Sequence, residues 1–134
     1  MTRFVRAALQ IVAAVGVSLT GWAETRLSVE RAKERHETLR QAARKRLSKV
    51  TISDGISRKE ATAIAEAYFC EHVGCGAFRG IRNDGDVWIV EAVFGHGARP
   101  VRGFQIDKKS GRVTSPIGPS YENPLDMMDP IQGL

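Results

Sequence analysis

Residues 57–113 constrain the fold of this chain more than any other stretch. Ser57-Arg58-Lys59-Glu60 has the Ser-x-x-Glu spacing of a capping box, in which serine and glutamate side chains satisfy two otherwise orphaned N–H groups and a helix begins. Steps of about 100° per residue then put Ala61, Ile64, Ala65, Tyr68 and His72 on one face. Phe69 and Val73 lie on its shoulder, with Cys70 opposite, and Gly74 is placed to end the helix in the left-handed region. Ala77–Arg82 then reads as a weak strand, Asn83-Asp84-Gly85 as a hairpin turn, and Asp86–Phe94 as the best strand. Gly95–Pro100 is a loop and Val101–Ile106 a third strand. Asp107–Gly111 is a turn closed by glycine, and Arg112–Ser115 is a short fourth strand. The expected class is α+β, one capped helix packed on a small antiparallel sheet of three or four strands.

The charge of +5 looks like a nucleic-acid signal until it is divided along the chain. Residues 1–23 carry +2, from Arg3 and Arg6. Residues 24–49 set nine Lys/Arg against four Glu, and residues 50–134 set nine against eleven acids, or −2. The basic character belongs to the N-terminal third, which argues against a nucleic-acid face on the folded part.

Four segments follow. Residues 1–23 have a positive start, an apolar core at 7–19, and small residues at 21 and 23 suited to cleavage after Ala23, the pattern of a secretory signal. The alternative is an uncleaved anchor, since residues 7–23 are only just long enough to span a bilayer. Residues 24–50 form a long polar helix with one thin apolar stripe. It reads as a stalk, or as a basic helix docking on an anionic membrane surface or a protein complex. Residues 51–115 make the α+β domain, joined to the stalk by a linker at 52–55. Residues 116–134 hold four prolines and read as a tail, disordered or laid over the domain surface. Together these place the protein outside the cytoplasm or in the inner membrane.

Cys70 and Cys75 straddle the helix end. In an oxidising compartment they are a disulfide candidate, the alternative being two independent thiols. Cys70, His72 and Cys75 match no zinc spacing, and no cofactor or metal motif is present. The serines after the linker fall in a cap, a turn, a strand end and the tail, so no residue stands out as catalytic. The strand at 86–94 is apolar on both faces, Val87, Ile89 and Val93 on one and Trp88, Val90, Ala92 and Phe94 on the other. Something must cover the second face: either an internal element or a partner. A partner groove would be lined by Trp88, Phe94 and Phe104 and extended by the loop residues His96 and Arg99.

The helix start Ile56-Ser57-Arg58-Lys59-Glu60-Ala61, the central Val87-Trp88-Ile89-Val90 and the ending Phe104-Gln105-Ile106-Asp107-Lys108-Lys109-Ser110-Gly111-Arg112-Val113 resemble two small bacterial families. One is the PepSY domain of peptidase propeptides and standalone exported proteins; the other is the NTF2-fold immunity proteins. The resemblance implies a helix on a curved antiparallel sheet and no catalysis. It also implies action by binding, on a peptidase in the first family and on a toxin in the second. Ala98-Arg99-Pro100 stands where the immunity family has a Gly-Gly pair. The expected function is a non-catalytic exported protein-binding module acting on a peptidase, toxin or envelope component, the alternative being a structural envelope protein docked by its basic helix.

Overall fold

The structure is a computed structural model that describes residues 2–129, with side chains from Gly21 onward. Its fold is α+β. In chain order it has helix α1 (Thr2–Leu47), helix α2 (Arg58–His72), strands β1 (Phe78–Asp84), β2 (Val87–Ala92), β3 (Val101–Asp107) and β4 (Val113–Thr114), and a 3-10 helix at Pro124–Met128. The charged start and apolar run behind the export reading lie outside the residues with described side chains. Among the described residues no helix is long and apolar enough to cross a membrane.

The chain divides into two compact units, one ending at Arg35 and one beginning at His36. In the first, α1 is solvated and leaves Trp22, Leu27 and Val29 exposed beside a Glu30–Lys33 pair. In the second, the end of α1 buries Ala43 and Leu47, followed by Val50. A domain starting at residue 51 is therefore too short, because the last turns of α1 belong to its core.

α2 begins as its capping box dictates. The Glu60 N–H donates to Ser57 Oγ at 3.2 Å, and the Ser57 N–H donates to Glu60 Oε1 at 3.2 Å. Ala61, Ile64, Ala65, Tyr68 and Phe69 are buried, and so are Ala63 and Ala67 on the flank that turns toward α1. That flank is tied to α1 by ion pairs. Glu71 takes Arg40 at 3.1 Å and Arg44 at 2.5 Å, and Glu66 takes Arg46 at 2.9 Å. At the other end the Gly74 N–H donates to the Phe69 carbonyl at 2.6 Å. Gly74 has φ 157°, so the expected left-handed α cap is replaced by a more extended positive-φ turn.

The four strands form an antiparallel meander in the order β1-β2-β3-β4. The β1–β2 turn is Gly85-Asp86, with φ 61° at Gly85 supplying the left-handed backbone a two-residue turn needs. Register pairs Trp88 with Ile106 and Val90 with both Ile81 and Phe104. Bulges fall at Phe78/Gly80 and at Val90/Glu91. Beside the second, a side chain at Gly103 would stand 3.3 Å from the Val90 carbonyl and 3.5 Å from the Phe69 ring. Glycine there lets α2 approach the sheet.

The linker at 52–55 is a tight turn, the Gly55 N–H donating to the Ile52 carbonyl at 3.0 Å, and the next residue, Ile56, donates to the Lys108 carbonyl just past β3 at 2.6 Å. The tail is laid over the domain. Tyr121 exchanges two backbone hydrogen bonds with Val113, and Pro124 and Met127 are buried.

Candidate functional site

Trp88 and Phe104 share a face, and that face is the interior. Phe104 is 1% exposed, with its ring centroid 4.3 Å from Tyr68 and 5.6 Å from Phe69. Trp88 is 9% exposed. Its indole N–H donates to the Ile56 carbonyl at 2.9 Å, and its ring carries Arg58 at 5.4 Å and Lys108 at 4.6 Å. An open groove lined by Trp88 and Phe104 is therefore ruled out, since α2 and its neighbours already fill that space.

The other face of β2 hides one residue, Ile89, at 1% exposure although it stands apart from the main core. Its cross-strand partners are Arg82 and Gln105, whose long polar side chains flank it on the same face of the sheet. The ion pair Arg82–Glu91 at 3.7 Å and the hydrogen bond from Arg102 to Gln105 at 2.7 Å run across this face. Both apolar sides of the strand are thus covered within the chain.

What stays open is one end of the sheet. β2 stops at Ala92, so Phe94 no longer follows the strand's alternation and stands 46% exposed. His96 and Arg99 follow it in an exposed loop, and Val73 and Val101 are further exposed apolar residues nearby in the fold. A shallow groove runs between Val73, Gly76, Ala77 and Arg79 on one side and Val93, Phe94 and His96 on the other. Of the residues expected to bind, the structure brings Phe94 and His96 to this groove and leaves Arg99 on the adjoining loop. Sequence reasoning missed Val73, Arg79 and Val101. For Arg79 the available signal is compositional: residues 72–83 and 92–106 contain Arg79, Arg82, Arg99 and Arg102 and no acid.

The groove's first wall is held by the pair Cys70 and Cys75, joined as a disulfide with Cα atoms 4.2 Å apart. A closed loop this short contributes about 2 kcal/mol by restricting the unfolded chain. Both sulfurs of the Cys70–Cys75 pair are taken up in the disulfide, and His72 Nε2 is turned to the Tyr121 hydroxyl.

His72 Nε2 lies 2.7 Å from the Tyr121 hydroxyl, and the two rings stack 24° from parallel. Burial holds the imidazole below its ordinary 6.5, and the nearby Glu71 charge pulls it partly back up. A depressed histidine is harder to protonate in the folded state than in the unfolded one. Its contribution is therefore complete above 6.5 and is lost as pH falls through the lower folded value. Urea unfolding at stepped pH is expected to show wild type losing stability just below 6.5, with His72→Gln flatter over that interval. Equal slopes would remove the assignment.

Comparison with family models, curated proteins and solved structures finds no match to this chain.

Proposed function

We propose that this protein is a non-catalytic binding module of the cell envelope that engages another protein through the open end of its sheet. One observation carries the reading. The domain satisfies its own core on both faces of β2, yet leaves Phe94 and Val73 uncovered in one groove, with Val101 exposed at the start of β3. Exposed aromatic and aliphatic side chains grouped in a concavity are what recognition sites present. Export, with a cleaved signal or an anchor, is the compartment in which a Cys70–Cys75 disulfide persists. The resemblance to PepSY domains and immunity proteins gives the class of target, a peptidase or a toxin.

The test is site-specific photocrosslinking in cells of the full chain, from position 94 and, as a control, from the exposed Lys109 position at the opposite end of β3. One discrete protein adduct from position 94, absent from position 109, is expected. No adduct, or the same adducts from both positions, would sink the reading.

A second reading rests on α1. Trp22, Leu27 and Val29 are exposed beside Arg26, Arg31 and Lys33, the pairing of apolar and basic side chains that docks a helix on an anionic membrane surface. Salt-sensitive flotation of a 21–50 peptide with anionic vesicles would support it, and flotation indifferent to lipid charge would dismiss it.

A further inference from the structure

Residues 50–134 have a net charge of −2, but their charges are not mixed evenly. The two segments that build the open end, 72–83 and 92–106, carry four arginines and no carboxylate. The remainder of that part carries five basic residues against eleven acids. Register places Arg102 opposite Glu91 and Arg82 opposite Ile89, Arg79 occupies the bulge between the Phe78 and Gly80 pairings, and Arg99 lies in the loop just before β3. Two of the four are engaged, Arg82 with Glu91 and Arg102 with Gln105. Among the described residues no ion pair or hydrogen bond reaches the side chains of Arg79 and Arg99, and both residues are exposed. Unpaired guanidinium groups beside an exposed aromatic ring suit carboxylates on either side of a large apolar side chain.

We infer that the occupant of this groove is an acidic segment of a partner protein that bears an aromatic or large aliphatic residue. The apolar side chain rests on Phe94 and Val73, and flanking carboxylates meet Arg79 and Arg99. This rests on the binding reading above and names the chemistry of its target. The groove's two walls, the disulfide-held 73–79 segment and the 93–96 segment, favour an extended chain over a flat lipid surface.

The probe is a fluorescent, end-blocked octapeptide of alternating Glu-Asp and Leu-Phe pairs, titrated with the full-length protein. A Lys-Arg/Leu-Phe peptide is the comparison. The acidic peptide is expected to bind more tightly, and its affinity to fall as salt rises from about 0.05 to 0.5 M. Arg79→Glu with Arg99→Glu, and separately Phe94→Ala, should each weaken it by at least about tenfold, and Lys109→Glu should leave it unchanged. These positions are exposed, so unchanged thermal unfolding verifies that each variant folds. Equal binding of the two peptides, or full affinity in the double variant, would overturn the inference. So would anionic-vesicle flotation lost in that variant in place of peptide binding, which would make the surface a lipid site. A protein adduct from position 94 without acidic preference would fail this inference and leave the binding reading intact; no adduct would remove that reading itself.

Discussion

Phe104→Ala is expected to cost about 3–5 kcal/mol of folding stability, the range for deleting a buried phenylalanine ring. The ring is shut between Tyr68 and Phe69 of α2, opposite Val90, and the surrounding aromatic cluster is too tightly tied to collapse into the gap. Tyr68 donates to the Pro119 carbonyl at 2.8 Å, which fixes its ring from the tail side. A single domain of this size holds about 5–15 kcal/mol in total, so the variant sits near the edge of folding. Phe94→Ala, only ten positions earlier, should change stability by less than about 0.5 kcal/mol. Urea denaturation of the pair gives the contrast directly. Comparable losses at the two positions would contradict the placement of Phe104 inside and Phe94 outside.

Glu71→Ala is the second large effect, expected at about 2–3 kcal/mol. The Glu71 side chain is mostly buried and accepts from Arg40 through Nε and Nη2, both at 3.1 Å, and from Arg44 Nε at 2.5 Å. Removing it leaves two arginines, neighbours one turn apart on α1, without their shared carboxylate. Both guanidinium groups reach water, which keeps the loss below that of a fully enclosed pair. Burial pushes the Glu71 carboxyl up, but the hydrogen bonds and charges of Arg44 and Arg40 outweigh it and hold the group below its ordinary 4.5. A depressed carboxyl gives its full stabilisation above 4.5 and surrenders it as pH falls through the folded value. Glu71→Gln should therefore be destabilised at neutral pH and lose less than wild type on further acidification. Parallel acid-unfolding curves would show that Glu71 is not a coupling between the helices.

Local chemistry was the legible part of this fold. The capping box is closed within four residues, and the Gly85 and Gly111 turns declare themselves through residues that tolerate positive φ, so the order of elements could be read along the chain. What stayed hidden depends on partners far away in sequence. Alternation in β2 identifies two apolar faces but not the means of covering Ile89, which comes from side chains on β1 and β3 at a register fixed by two bulges. Phe94 fits the same alternation on paper. It escapes the core because pairing with β3 ends at Ala92, a boundary no local residue announces. The end of α1 misled for another reason. Ala43 and Leu47 are a thin stripe on a highly charged helix, and only the pairing of Arg40 and Arg44 with Glu71 reveals where it docks. The candidate site was half readable, through Phe94, His96 and Arg99. Arg79 and Val73 join them only when β1 folds back along β2.

The meander order carries a consequence for how the molecule forms. Each strand pairs with its neighbour in the chain, so the sheet can zip by short loop closures and no strand waits for a distant one. Its apolar side, with Trp88, Val90 and Phe104, would be sticky while uncovered. The cover is α2, which precedes every strand in the chain. A sheet zipped from neighbouring strands thus buries that side on the helix that precedes it, and the tail is tied to the same helix through the His72–Tyr121 contact.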